Sequence, residues 1–380
     1  MLEEIFKKAF NDDYEAQQYV ANMHYEDHKA FKKIIRKILW YKKEALLGNS
    51  EVQLRLANRY YKGNGINKDF QKAFDWYEKA AVQGNIEAQL RLATMCYDGN
   101  KVSQDFLKAF DLYEKAALQN NKEAQLRLGN MYYDGNAVSK NFHKAFDWYE
   151  KSALLGNDEA QLRLANMYYD GNAVSKDFQK AFDWYEKSAL LGNDEAQLRL
   201  ANMYYDGNVV SKDFQKAFEW YEKSALLGNN EAQYLVGCMY ENCLTTDKDF
   251  IKGFKYFWLS TLSNYAPSQY KIGVMYYDGK IVIKSKIWAY AYFYIATENG
   301  YNYALESKNA LYKKLNVKQV KKARKFIKKL RIHIKRYIEL YSVWKDCAYQ
   351  ESWPSFCRKN MPDSMAAWYS LFNIDRIKLY

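Results

Sequence analysis

Two histidines, His24 and His28, stand four residues apart, the spacing at which one face of a helix can hold a metal ion. The residues between them do not follow the H-E-x-x-H order, so no general base is placed beside a zinc ion. The chain also contains a repeated unit of 36 residues, and the His24/His28 pair lies where the first helix of one such unit is expected to end. We therefore interpret both histidines as surface or capping residues and predict no metal site.

The cysteines and carboxylates also give no pattern typical of catalysis. Five cysteines, an odd number, include no C-x-x-C pair and no pair that recurs from unit to unit: Cys96, Cys238, Cys243, Cys347 and Cys357. This favours a reducing compartment, and zinc would require ligands that the last two cysteines lack. The carboxylates can be explained as helix caps or helix-surface residues. We predict no catalytic residue, no cofactor and no small-molecule substrate; a hydrolase is kept as an alternative.

A pattern of polar side chains recurs at fixed spacing along the chain. It consists of Arg, Asn and Asp at positions i, i+3 and i+7, and we call it the Arg–Asn–Asp ladder. Arginine pairs with carboxylates, and asparagine can bind backbone amides, so an extended peptide or a partner's helix could bind along such a row. The alternative is that the residues are solvated and were merely copied by duplication. The ladder consists of Arg127, Asn130 and Asp134, then Arg163, Asn166 and Asp170, then Arg199, Asn202 and Asp206.

The ladder recurs because a block of 36 residues recurs. Residues 159–194 and 195–230 differ at only three positions, Ala173/Val209, Asp183/Glu219 and Asp194/Asn230. A unit of this length cannot bury its own apolar face, so the units must stack and share an elongated core. The register predicts eight units, at 15–50, 51–86, 87–122, 123–158, 159–194, 195–230, 231–266 and 267–302.

Each unit is predicted to contain two helices. In the unit 159–194, Asp158 is the expected N-cap of the first helix, with Gln161 completing a capping box, and Gly171 ends the helix. Asp177 is the expected cap of the second helix, and Gly192 follows its end. Trp184 is predicted to lie in the core. Apolar residues recur at helical spacing at Ala160, Leu164, Ala165 and Tyr168, and again at Phe178, Ala181, Phe182, Tyr185 and Ala189.

The pattern A-x3-L-[GA]-x2-Y-x2-G, followed by D-x2-K-A-x2-W-Y-x-K-[AS]-A-x2-G, resembles the Sel-1-like repeat, a relative of the tetratricopeptide repeat. The resemblance implies an all-α, right-handed α-solenoid of about eight 36-residue helix-turn-helix repeats with a C-terminal capping helix. It also implies a non-enzymatic scaffold or adaptor that holds partner proteins or peptides on a curved surface. The sequence departs from the family pattern in the G-x-G loop between the two helices. The second glycine of this loop is present as Gly65 but is replaced by Ala137, Ala173 and Val209 in later units.

The net charge of +12 is concentrated near the C-terminus, since residues 311–340 carry +11 while residues 121–250 carry −6. A helix over 316–341 is predicted to start with a capping box of Asn316 and Gln319 and to carry an apolar stripe of Val320, Ala323, Ile327, Leu330, Ile334 and Tyr337. Two interpretations remain open. In the first, the helix closes the solenoid. In the second, it is a peripheral anchor on an anionic membrane that uses Lys321, Lys322, Lys325, Lys328 and Lys329. Nucleic acid is not a predicted partner, because no recognition fold accompanies the helix.

Three further segments complete the predicted organisation. We predict an N-terminal helix over residues 1–14, basic amphipathic closing helices over 303–341 and an aromatic-rich extension over 342–380. Pro354 and Pro362 should break this extension into short helices packed on the last units, with docking of a partner as the alternative. Because MLEEIFKKAFNDD has no apolar signal region and Ile287–Thr297 is too short to span a bilayer, we expect the cytoplasm. The richness in Lys, Asn, Ile and Tyr is typical of AT-rich genomes, which some intracellular bacteria and large viruses have. We therefore include the cytoplasm of a host cell among the expected locations.

Overall fold

The computed structural model describes residues 43–63, 67–99, 101–242, 244 and 249–350, with the backbone alone for 340–350. Within these residues the chain is built of helices and contains no strand. The helices are α1 Ser50–Lys62, α2 Phe70–Val82, α3 Ile86–Asp98, α4 Phe106–Leu118, α5 Lys122–Asp134, α6 Phe142–Leu154, α7 Asp158–Asp170, α8 Phe178–Leu190, α9 Asp194–Asp206, α10 Phe214–Leu226, α11 Asn230–Asn242, α12 Phe250–Leu262, α13 Ala266–Asp278, α14 Lys286–Glu298, α15 Tyr303–Tyr312 and α16 Val317–Gln350.

The chain falls into two compact units, Met1–Trp184 and Tyr185–Tyr380. Several predictions concern residues outside the described ranges. They are the His24/His28 pair, the helix 1–14, most of the repeat 15–50, and the part of the aromatic-rich extension that follows Gln350. These stay predictions.

In six of the seven described repeats the first helix begins after an asparagine; the exception is α13, which follows Tyr265. The Asn157 Oδ1 atom accepts a hydrogen bond of 2.8 Å from the backbone N–H of Ala160. The predicted cap at Asp158 is therefore wrong. Asp158 is instead the first residue of the helix, where its negative charge interacts favourably with the positive end of the helix dipole. Gln161 does not complete a capping box, because its Nε2 atom donates to the Ala153 carbonyl at 3.0 Å.

The other predicted helix boundaries of this repeat are confirmed. Asp177 Oδ1 accepts a 2.9 Å hydrogen bond from the Lys180 N–H, and Gly171 ends the first helix in the left-handed conformation, with φ of 79°. In three of the repeats that lack the second glycine of the loop, the residue in its place is still left-handed. Ala137, Ala173 and Ile281 have φ of 65°, 70° and 67°, at a cost of about 1–2 kcal/mol for each such residue.

The core is made by the two helices of each repeat and by the stacking of successive repeats. Leu164 and Ala181 are fully buried, as are Ala160 and Ala165. Trp184, predicted to lie in the core, packs against it but is only half-buried. At the equivalent Trp76, Trp148 and Trp220, a lysine ammonium lies 4.2, 4.1 and 3.8 Å from the ring centroid. These rings are therefore covered by lysine where the core leaves them open.

Helix α16 closes the array in the unit Tyr185–Tyr380. Its predicted capping box is confirmed, because the Asn316 and Gln319 side chains each accept a 2.9 Å hydrogen bond from the other residue's backbone N–H. On the predicted apolar stripe, Ala323, Ile327, Leu330 and Ile334 are buried, while the five predicted contact lysines, Lys321, Lys322, Lys325, Lys328 and Lys329, are exposed. The helix continues to Gln350, past the expected boundary at 341.

The burial of this stripe bears on the membrane interpretation. The Phe326 ring lies 4.1 Å from the ring of Trp288 in α14, measured between centroids, and the buried residues of α16 belong to one core cluster with α12, α13 and α14. The apolar side chains that membrane insertion would need are thus packed inside the protein. Membrane anchoring by this helix is not supported. None of the helices described is both long enough and apolar enough to cross a bilayer.

A buried glutamine links each of six described repeats to the backbone of the preceding one, whereas Gln269 in the last repeat donates to the Asn264 side chain. The Nε2 atom of Gln125 donates to the backbone carbonyl of Ala117 at 3.1 Å, and Gln53, Gln89, Gln161, Gln197 and Gln233 make the equivalent bond. In two early repeats the amide oxygen is also satisfied, since Gln53 accepts from Gln83 and Gln89 from Gln119, at 2.7 and 3.0 Å. In the part of the chain that the structure describes, the Gln125 Oε1 atom has no partner.

This difference predicts a stabilising substitution. Leu155 occupies the position of Gln83 and Gln119, 30 residues after the buried glutamine, and its side chain is about half exposed. Leu155→Gln should supply the missing donor to Gln125 and raise the free energy of unfolding by about 1 kcal/mol, measured by urea denaturation. Leu154→Gln, one residue earlier, is the matched control and should give no gain. Equal gains in both variants would contradict the explanation.

Candidate functional site

The first helices of the repeats position the Arg–Asn–Asp ladder. In α5, α7 and α9 the arginine and the aspartate are exposed, while the asparagine between them is half-buried. The sets in α5 and α7 belong to the unit Met1–Trp184, and the set in α9 belongs to Tyr185–Tyr380. In each set the ladder therefore has polar ends in solvent and a centre in contact with the protein.

The ladder asparagine is held by a tyrosine of the second helix. The Tyr149 hydroxyl donates to Asn130 Oδ1 at 2.8 Å, and the Tyr221 hydroxyl donates to Asn202 Oδ1 at 2.5 Å. Tyr77 makes the same bond to Asn58 at 2.7 Å. The side-chain carbonyl of the asparagine is thus hydrogen-bonded inside the repeat. The amide NH2 group is the part of the side chain that is suited to donate to a ligand.

Burial raises the pKa of these tyrosines. For Tyr113, whose hydroxyl lies 3.1 Å from the Thr94 hydroxyl, burial raises the pKa to about 12, against the lowering effects of the Thr94 hydrogen bond and of Arg127. Burial also raises the pKa of Tyr149 far above its ordinary value, with Arg163 opposing and Asp134 adding to the shift. The hydroxyls are therefore neutral, and charges from two successive repeats surround each one.

Each ladder arginine is paired within its own helix. The Nε atoms of Arg127, Arg163 and Arg199 lie 2.8, 2.9 and 2.9 Å from the carboxylates of Glu123, Glu159 and Glu195. About half of each arginine side chain stays exposed. Exposed pairs at i, i+4 contribute only about 0.3–0.5 kcal/mol, so a partner's carboxylate can compete for the guanidinium.

A pocket of about 140 Å³ lies on this surface in the repeats 50–85 and 86–121. Arg91, Thr94 and Asp98 occupy the ladder positions of the second of these repeats, and the full lining is Tyr61, Tyr77, Arg91, Thr94, Met95, Asp98 and Lys101. The Lys101 ammonium lies 4.9 Å from the centroid of the Tyr61 ring. Cationic, anionic and hydroxyl groups thus converge at a depression of the size of a small side chain.

Sequence reasoning missed both the tyrosine and the pocket. Helical periodicity places the tyrosine on the apolar stripe of the second helix, and its ring is buried at Tyr77, Tyr149 and Tyr221. A constant spacing of 19 residues between the asparagine and the tyrosine was the available signal. Because that spacing crosses a loop, helical periodicity alone could not show that the two side chains meet.

The described cysteines are not activated. Cys96 and Cys238 are free thiols, and burial is the main cause of their raised pKa. A thiol with a raised pKa stays protonated and is a weak nucleophile. Within the described ranges, no group of three or more His, Cys, Asp or Glu side chains is placed to hold a metal ion.

The helical pairs, their period and their capping residues agree with a known family. The family model described as Sel1 repeat matches seven successive segments, at residues 50–85, 86–121, 122–157, 158–193, 194–229, 230–257 and 266–301. The chain belongs to the Sel1 repeat family. Its predicted membership and its all-α solenoid fold are confirmed, and Sel1-repeat solenoids are typically non-catalytic scaffolds for protein interaction.

Two solved structures of Sel1-type proteins are similar to this Sel1-repeat chain. One is a protective antigen present in uropathogenic Escherichia coli strains that displays an SLR fold; it is 29% identical, with a TM-score of 0.68, covering 87% of this chain and 72% of that protein. The other is a Sel1 repeat protein from Oxalobacter formigenes, 27% identical, with a TM-score of 0.62, covering 81% and 89%. No curated protein sequence matches the chain.

Proposed function

We propose that this Sel1-repeat protein is a non-enzymatic scaffold that binds partner proteins or extended peptides along the surface of its first helices. The observation that carries the proposal is the repeated arrangement of the ladder. A buried tyrosine fixes Asn130 and Asn202, at 2.8 Å for Tyr149 and 2.5 Å for Tyr221, while the neighbouring arginine and aspartate face solvent. The same donors and acceptors are thereby presented once in each of the three repeats that carry the complete ladder.

The chemistry of this surface suits a peptide that carries carboxylates. A ligand carboxylate can replace the intrahelical partner of Arg127 or Arg163 at little cost, because the exposed pair is weak. Asp134 and Asp170 can accept hydrogen bonds from backbone amides of the same ligand. The pocket at Arg91 has room for one small side chain, which would fix the register of the peptide.

A peptide-display selection against the full chain tests the proposal. Selected peptides should be enriched in Asp and Glu, and their affinity should fall at least about tenfold for each arginine that they engage, since a hydrogen bond to a charged group contributes about 1.5–3 kcal/mol. The test variant is Arg127→Ala with Arg163→Ala and Arg199→Ala, and the measurement is calorimetric titration of the selected peptides.

The matched control removes the same number of positive charges from the same repeats. Lys144, Lys180 and Lys216 are exposed residues in the first turn of the second helices, so their triple alanine variant keeps the ladder intact. It should bind the peptides as the wild type does. If the arginine variant also retained full affinity, the ladder would not be the binding surface.

A further inference from the structure

A second surface lies at the C-terminal ends of the second helices in the unit Tyr185–Tyr380. Leu190 and Leu226 are the last residues of α8 and α10, and each is followed by another leucine. Leu190, Leu191 and Leu226 are 70%, 57% and 49% exposed. We call Leu190, Leu191, Leu226 and Leu227 the leucine row. Large aliphatic side chains grouped in this way are typical of a surface that is covered.

The next repeat shows what covers this position. Leu262, the equivalent of Leu226, is only 5% exposed. Helix α16 passes beside it, because the Tyr337 side chain is hydrogen-bonded to Ser263, the residue that follows Leu262. Ile338 and Asn264 line one cleft there, of about 470 Å³. The chain thus already covers one member of the series with its own C-terminal helix.

The contacts of α16 give its direction along these helix ends. Phe326 packs on Trp288 near the start of α14, Arg331 pairs with Glu298 at the end of α14, and Tyr337 reaches Ser263 at the end of α12. The helix therefore moves back by one repeat between Arg331 and Tyr337. Its backbone continues to Gln350, a further 13 residues or about 20 Å at the helical rise of 1.5 Å per residue, towards the repeat that carries Leu226.

The chain beyond Gln350 has the length and composition to cover the leucine row. It comprises 30 residues, 351–380, and its large apolar side chains include Trp353, Phe356, Trp368, Tyr369 and Phe372. We propose that residues 351–380 dock on the leucine row and extend the interface that α16 makes at Leu262. The tether favours this occupant over others, because a linked segment is present at an effective concentration of about millimolar.

Limited trypsin digestion of the full chain tests this docking. Cleavage after Arg358 and Lys359, followed by mass spectrometry, reports how accessible the segment is. The variant Leu190→Gln with Leu226→Gln should speed this cleavage at least tenfold, while the rest of the array stays resistant. The matched control is Leu118→Gln with Leu154→Gln, since these residues hold the same repeat position in the other unit and are 69% and 71% exposed. The control should cleave at the wild-type rate.

Three outcomes would overturn the proposal. The first is wild-type cleavage as fast as that of a synthetic 351–380 peptide, and the second is equal acceleration in the test and control variants. The third is protection that disappears on dilution, which would assign the leucine row to a second copy of the chain. Maleimide labelling of Cys357 gives a second readout, and an unchanged circular dichroism spectrum checks that the variants are folded.

Discussion

The substitution Leu330→Asp is expected to destabilise the closing end of the array by at least about 3 kcal/mol, because it places a charge where an apolar side chain was buried. Leu330 is 3% exposed and belongs to the core cluster that α16 forms with α12, α13 and α14. Without α16, the apolar faces of these helices would meet water. Urea denaturation followed by circular dichroism should show an early transition for the last repeats.

Ile332 offers a matched control in the same helix. It lies two residues from Leu330 but off the buried stripe, and it is 46% exposed. Ile332→Asp should therefore change the free energy of unfolding by no more than about 0.5 kcal/mol. Similar losses in both variants would mean that acidic residues simply weaken this basic helix. The packing of its stripe would then not be what closes the array.

The second large effect is expected from Leu164→Ala in the middle of the array. Leu164 is fully buried between helices, and removing such a side chain typically costs about 2–5 kcal/mol, through lost burial and an unfilled cavity. Each repeat is stabilised mainly by contacts with its neighbours. The loss of stability in one repeat should therefore broaden the unfolding transition of the array as well as lower its midpoint. Urea and thermal denaturation measure both quantities.

The repeats supply both replicates and a control for this experiment. Leu128 and Leu200 occupy the same position and are also fully buried, so their alanine variants should lose stability to a similar extent. Leu154→Ala removes the same group from a side chain that is 71% exposed and should have little effect. A wide spread among the three buried positions would show that local relaxation, rather than the repeat position, decides the cost.

Much of the fold could be predicted because its signals are repeated in register. The apolar stripes, the glycine that ends most of the first helices and the Asn316–Gln319 capping box follow from local rules. The cap at Asn157 could not be predicted, because asparagine and aspartate cap helices equally well and the two stand side by side in Asn157-Asp158. Only the backbone path decides which of the two lies outside the helix.

The candidate site was harder to predict than the fold. The recurrence of Arg163, Asn166 and Asp170 could be read from the sequence, but near-identical copies preserve useful and idle residues alike. The tyrosine that fixes the ladder asparagine reaches it across a loop, as Tyr149 does to Asn130. The leucine row could not be predicted either, because helical periodicity does not show how far the end of a helix projects from its neighbours.

At six junctions the buried glutamine bonds to the backbone of the preceding repeat, and this type of contact affects how the array can change its length. Gln125 and its equivalents donate to a main-chain carbonyl, as in the 3.0 Å bond from Gln161 to Ala153. Every residue type provides such an acceptor, so this junction does not require a matching side chain in the adjoining module. After recombination inserts or deletes a repeat, the glutamine at the new junction can form the same hydrogen bond to the backbone of its new neighbour. The molecule can therefore lengthen or shorten in whole modules without a compensating mutation at this contact.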